Sequence, residues 1–202
     1  MRAIVGLVLV STLSLAAAAQ TPVSLTGRIE RAPSSPCNGA ATHKLACTEI
    51  LLRSETVNLA TWEGRMADLS GESEGSLTCP LINVSDAVAA PQSTSTFSLG
   101  GYRINSTVIF TTTAPVGSVV AYFFSSEPGF LPLANFGTLQ LNPLTNFIFW
   151  TLDISIGVAL RTVRLPNDPC LVGQVALFQT AYVSVTPTFE VKLLNAACFS
   201  IQ

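Results

Sequence analysis

Near the C-terminus, Phe189, Val191 and Leu193 alternate with Glu190 and Lys192. A period of two places the apolar set on one face and the charged pair on the other, the pattern of a half-buried strand whose outer pair meets solvent. Comparable runs recur along the chain. Between residues 23 and 87 the segments VSLTGRIERA, HKLACTEILLRS, WEGRMADLSGE and TCPLINVSDA are punctuated by Gly, Pro, Ser or Asn. Short strands with turn signals at that spacing predict a small barrel or sandwich, with Gly64 and Gly71 as strand-end turns. Beyond residue 100, six more runs follow: YRINSTVIFTTTAP, SVVAYFFSSEP, FGTLQLN, NFIFWTLDIS, CLVGQVALFQTAYVSV and FEVKLLNAACFSIQ. LVGQVALFQTAYV is long enough to compete as a helix, but its β-branched and aromatic content and Gly173 favour a strand. The six runs predict a two-sheet sandwich. Between the groups lies DAVAAPQSTST, residues 86–96, whose Ala, Pro, Ser and Thr read as a linker. The expected organisation is therefore residues 20–88, a linker at 89–96, and residues 97–202. No repeat of 20 to 50 residues is visible, which argues against a propeller or solenoid.

The first nineteen residues have a different grammar. Arg2 is followed by an uncharged Val/Leu-rich stretch to Leu15 and then by Ala16–Ala19. That is the order of a cleavable signal peptide, with Ala17 and Ala19 at the small-residue positions and cleavage before Gln20. The apolar stretch falls short of the ~20 residues of a membrane helix, and the C-terminal AACFSIQ lacks the spacer and apolar tail of a lipid-anchor signal. The reading is a secreted protein, extracellular or periplasmic, with no membrane span.

Composition narrows the partners. Charged residues make up 11% of the chain and hydrophobic ones 49%, with a formal net charge of -2. The ten basic residues are scattered, so the clustered cations that nucleic acid needs are missing. An extracellular protein or a glycan is the expected partner. The five cysteines, Cys37, Cys47, Cys79, Cys170 and Cys198, suit an oxidising compartment. Three lie in the first half and two in the second, which suggests Cys170 with Cys198, and Cys47 with either Cys79 or Cys37, one thiol remaining. No C-x-x-C pair occurs and His43 is the sole histidine, so neither a metal nor another cofactor is expected.

Two resemblances bear on the fold. LTGRIERAP, THKLACTEILLRSETVNLATWEGR and GSLTCPLINVSDA resemble OB-like small β-barrels. The second half, from FSLGG through FGTLQL, with Pro166-Asn167-Asp168-Pro169, Leu171-Val172-Gly173, Gln179-x-Ala181 and Asn195-Ala196, resembles a domain of uncharacterised secreted proteins from planctomycete-like and myxobacterial bacteria. Together they imply an all-β protein, a small OB-like barrel followed by a β-sandwich. They imply no activity.

Asp168 between two prolines is a turn residue bonding its own backbone rather than a calcium ligand, since one carboxylate is too few. Gln179 and Asn195 read as buried or cross-strand amides bonded to backbone. A Ser-His-acid triad would have to use His43, and no G-x-S-x-G elbow occurs; His43 reads as a turn or strand-start residue. Glu63, Asp68, Glu72 and Glu74 crowd one region as a glycosidase pair would, but their turn-rich context reads as solvated surface. Trp62 is the candidate sugar-stacking residue, and Trp150, among phenylalanines, a core residue. The sequons at Asn83 and Asn105 carry glycan only in a host that modifies them. These readings converge on a non-enzymatic secreted β protein with a structural or interaction role, the alternative being a carbohydrate-binding protein. The export reading has a direct check: in a secreting host the intact mass of the exported protein is expected to begin at Gln20, and a mass that retains residues 1–19 refutes it.

Overall fold

The structure is a computed structural model describing residues 21–33, 41–74, 76, 79–185 and 188–202. The proposed signal peptide and Cys37 lie outside the described residues. The described chain is all-β, and none of its helices is long and apolar enough to cross a membrane. The first five strands are β1 (Thr21–Arg31), β2 (His43–Leu45), β3 (Leu51–Arg53), β4 (Met66–Ser73) and β5 (Leu81–Ala89). They close a barrel in the order β1-β2-β3-β5-β4. Only β3 and β5 run parallel; β4 returns antiparallel to β1 along its whole length. Alternation supplies the interior: Leu25, Ile29, Leu45, Leu52, Leu69 and Ile82 are fully buried. Gly71 is not a strand-end turn but sits mid-strand in β4, at a register shift against β5. A Cβ there would stand 2.3 Å from the Asn83 carbonyl, so only glycine permits this approach.

Strand, not linker, follows. β5 continues to Ala89, and β6 (Ser93–Ser98) begins after three residues. The Ser/Thr-rich sequence that suggests a linker is held as strand by pairing with β7 (Thr107–Thr113). The remaining strands are β8 (Val119–Ser125), β9 (Pro128–Leu133), β10 (Gly137–Leu141), β11 (Ile148–Ile154), β12 (Val158–Arg164), β13 (Val175–Ser184) and β14 (Glu190–Ser200). One sheet runs β12-β7-β6, a second β11-β8-β13-β14, and β10-β9 form a hairpin. The two larger sheets pack as a sandwich around Val108, Phe110, Tyr122, Phe178 and Phe199. Trp150 joins that core as expected, with edge contacts to Phe110, Tyr122 and Phe124.

The β9–β10 hairpin is a wedge between sandwich and barrel. Leu139 and Leu141 pack with Leu177, Ala181 and Leu193 on the outer face of the second sheet, while Phe130 reaches the barrel core. The Thr138 hydroxyl donates to the Ser24 carbonyl at 2.8 Å, and Gln140 Nε2 to the Thr26 carbonyl at 2.8 Å. Gln179 completes the joint, as a buried amide bonded to backbone. Its Oε1 accepts from the Gln140 amide at 2.8 Å, and its Nε2 donates to Thr138 and Leu194 carbonyls at 2.9 and 2.7 Å. Asn195 does the same elsewhere, accepting from the Thr94 amide at 2.7 Å and donating to the Thr94 carbonyl at 2.8 Å. Burial pushes the Tyr122 and Tyr182 phenols up, Tyr182 also lying beside Glu190, so both stay neutral in the folded core. Because Gln179 satisfies three backbone groups from β10 and β14, Gln179→Ala leaves all three without that partner. It is expected to destabilise the chain by roughly 3 kcal/mol or more, read as a lower urea midpoint at unchanged slope; a loss below about 1 kcal/mol refutes this role.

Candidate functional site

The residues singled out from the sequence separate into structural and open positions. Trp62 ends a 3-10 turn, Leu59–Trp62, and is half-buried against the barrel core. Its indole therefore packs on the protein's own apolar surface rather than standing free in a groove. His43 is the first residue of β2 and buried. Thr42 Oγ1 lies 2.8 Å from its Nδ1, and Glu63 Oε1 lies 3.2 Å from its Nε2. Arg31 comes within 3.7 Å of the same carboxylate. A carboxylate accepts, so Nε2 donates to Glu63. This hydroxyl–imidazole–carboxylate chain pins the 3-10 turn to the ends of β1 and β2.

The acidic residues read as solvated surface are instead mostly engaged. Glu74 pairs with Arg53 at 2.7 Å and Asp68 with Lys192 at 2.6 Å. Lys192 thus differs from its expected role on a solvent-facing strand side, because β14 lies against the barrel and the lysine reaches across to β4. Asp168 behaves as the turn residue expected, its Oδ1 accepting from the Cys170 amide at 2.9 Å.

The disulfide corrects the pairing inferred from sequence. Cys198 bonds Cys47, 151 residues away, with a Cα–Cα distance of 5.5 Å. Cys198 packs with Leu177 and Leu193 on the sheet face turned toward the barrel, and Cys47 meets it from the left-handed turn after β2, at φ 63°. Cys170 lies in the 3-10 turn Pro169–Leu171, exposed, with a free thiol. Cys79 is half-buried beside Ser76 at the barrel rim and is not the partner of Cys47. Pairing within each half rests on treating the halves as independent, and the joint shows that they are not.

Two open features stand out among the described residues. A cleft of about 950 Å³ runs along the joint. It is lined by Glu72, Asn83, Asn135, Phe136, Glu190 and Lys192 among others, a mixture of amides, carboxylates and one partly exposed aromatic ring. The second feature is the β8–β11 edge of the sheet that carries the hairpin. Phe149, Leu152 and Ile154 of β11 lie opposite Phe123, Ala121 and Val119 of β8, and directly opposed residues share a face. This is the same face that carries the hairpin further along, here left uncovered. Phe149 is 54% exposed, Leu152 52% and Ile154 68%. The face runs on into two turns joined by Gly117 N–H donating to Ser155 O at 2.7 Å, which expose Val116 and Ile156. No charged side chain occurs in 114–119 or 154–160.

The backbone edge beside this face is capped. Arg161 Nη2 donates to the Leu152 carbonyl at 2.9 Å, Asp153 Oδ1 accepts from the Ile154 amide at 2.9 Å, and the two side chains pair at 3.0 Å. Strand addition along β11 is thereby discouraged. What remains open is side-chain surface.

The thiols give the check on this arrangement. Non-reducing peptide mapping is expected to join the peptides of Cys47 and Cys198, and a maleimide to label Cys170 in the native protein. A Cys170–Cys198 peptide refutes the assignment. No family model, curated protein or solved structure matches the chain.

Proposed function

We propose that the chain is an exported, non-enzymatic β protein that works by contact, with a structural or interaction role at or outside the cell surface. The observation that carries this reading is the uncharged apolar face of β8 and β11. Exposed apolar patches at the upper end of what a monomer carries are often functional. Three further features support it. The N-terminal nineteen residues have the order of an export signal, the Cys47–Cys198 bond suits an oxidising compartment, and Glu63 and His43 bond each other where the 3-10 turn meets β2. The bacterial secreted family resembled by the second half agrees with the compartment and adds no chemistry.

Carbohydrate binding is the second reading. It loses Trp62 to the barrel core and keeps the junction cleft, where Phe136 could stack on a sugar with Asn83 and Asn135 at hand. Both readings meet one experiment. The full chain is expressed in a secreting host, and the exported protein is divided between medium and cell surface. Leu152→Lys with Ile154→Lys is expected to reduce the surface-held share several-fold at an unchanged thermal midpoint. Retention that ignores these lysines but falls with Phe136→Ala and is displaced by soluble glycans overturns the contact reading in favour of the cleft.

A further inference from the structure

The face of β8 and β11 has properties that select a partner. Val116, Val119, Phe149, Leu152, Ile154 and Ile156 are between 39 and 84% exposed. Together they present roughly 600 Å² of side-chain surface, at the upper end of the largest patch on an ordinary monomer and near the ~800 Å² that each partner gives to a standard interface. The nearest ion pair, Asp153 with Arg161, is internally neutral and occupied with the β11 edge. A strongly charged partner would have its ions desolvated there without compensation, so the matching surface is itself apolar and uncharged. This face meets that condition against its own copy, with no like charges opposed.

We propose that the chain forms a two-fold dimer in which the β8–β11 face of one copy packs on the same face of another, sheet on sheet. The inference rests on the contact reading above and names its partner as a second copy of this chain. Packing is face to face because the capped edge leaves little backbone to pair, and sheets stack ~10 Å apart through interdigitating side chains. A two-fold axis makes one patch sufficient, since the same residues serve both sides. The opposite edge of the same sheet is occupied: β14 is bonded to β6 through Asn195 and tied to the barrel by the disulfide.

The test is sedimentation velocity on the full chain purified from the exported fraction, over a dilution series. The wild type is expected to show a concentration-dependent dimer. Leu152→Lys with Ile154→Lys is expected to be monomeric at every concentration where the wild type is dimeric. Ile156→Lys, in an exposed turn where folding is not at stake, is expected to shift the equilibrium the same way, with circular dichroism and melting unchanged. A wild type monomeric throughout, or a dimer indifferent to both variants, overturns the proposal. A monomer that co-sediments with phosphatidylcholine vesicles, and loses this with the lysines, also overturns it in favour of a lipid surface. If the chain is monomeric while its retention at the cell surface still depends on Leu152 and Ile154, dimerisation fails and the contact reading stands. A lysine-sensitive dimer with unaffected surface retention does the reverse.

Discussion

Three buried amides decide how the layers of this protein meet. Gln179, Gln140 and Asn195 each occupy a place where one element's backbone groups lie beyond the reach of a regular ladder, and each bonds both its oxygen and its nitrogen to backbone. A buried amide left half-bonded is costly, so these residues accept only arrangements in which β10, β13, β14, β6 and β1 all stand in place together. The register shift in β13, between Gln179 and Ala181, falls beside one of them, as expected where a strand departs from regular pairing to serve a second layer. An apolar side chain of equal size would fill the space but would not impose that register.

From this joint follows an asymmetry. The β14 edge of the sandwich is tied to the barrel by the Lys192–Asp68 pair and the disulfide, and to β6 by Asn195. The β9–β10 hairpin extends the covering as far as the joint needs and leaves the outer face at β8 and β11 bare. Asp153 and Arg161 then cap the β11 edge, a common natural defence against indiscriminate strand addition. Protection of the edge beside an unprotected apolar face is a specific combination. It suppresses open-ended sheet growth while permitting a contact made by side chains alone.

Much of the fold was legible in the sequence because its strands obey a simple period. The run from Phe189 to Leu193 and the stretch leading to Tyr182 announce β14 and β13, and the turn at Asp168 and the buried amides followed from the chemistry of short polar side chains. Three strands escaped for different reasons. β6 is nearly all Ser and Thr and resembles a linker; its strand character comes from β7. β9 contains Pro128 and Pro132, tolerated because the hairpin leaves one of its edges unpaired. In β12 apolar residues fall on both faces and Arg161 points toward the β11 edge, so alternation is blurred. The contact between the halves was illegible altogether, since Cys47 and Cys198 stand 151 residues apart and no local pattern reports a separation of that size. The apolar face was hidden for a related reason: Phe149, Leu152 and Ile154 sit in the apolar run around the core residue Trp150, and only the short reach of the β9–β10 hairpin leaves them uncovered.

The disulfide and the amides secure the same joint by different physics, and the difference bears on where the protein can work. A bond closing a loop of this length restricts the unfolded chain by roughly 5 kcal/mol in the loop-entropy model, and it survives only where thiols are kept oxidised. The amide set acts in the folded state and is indifferent to redox conditions. In a reducing compartment the joint would rest on hydrogen bonds and the apolar wedge alone, while the bare β8–β11 face would be as sticky as before. Outside the cell the covalent tie holds the barrel against β14 whatever pulls on the opposite flank. On the contact reading proposed above, the sheet would meet its partner at its β8–β11 edge and be bolted to the barrel at its β14 edge, an arrangement suited to staying folded while attached.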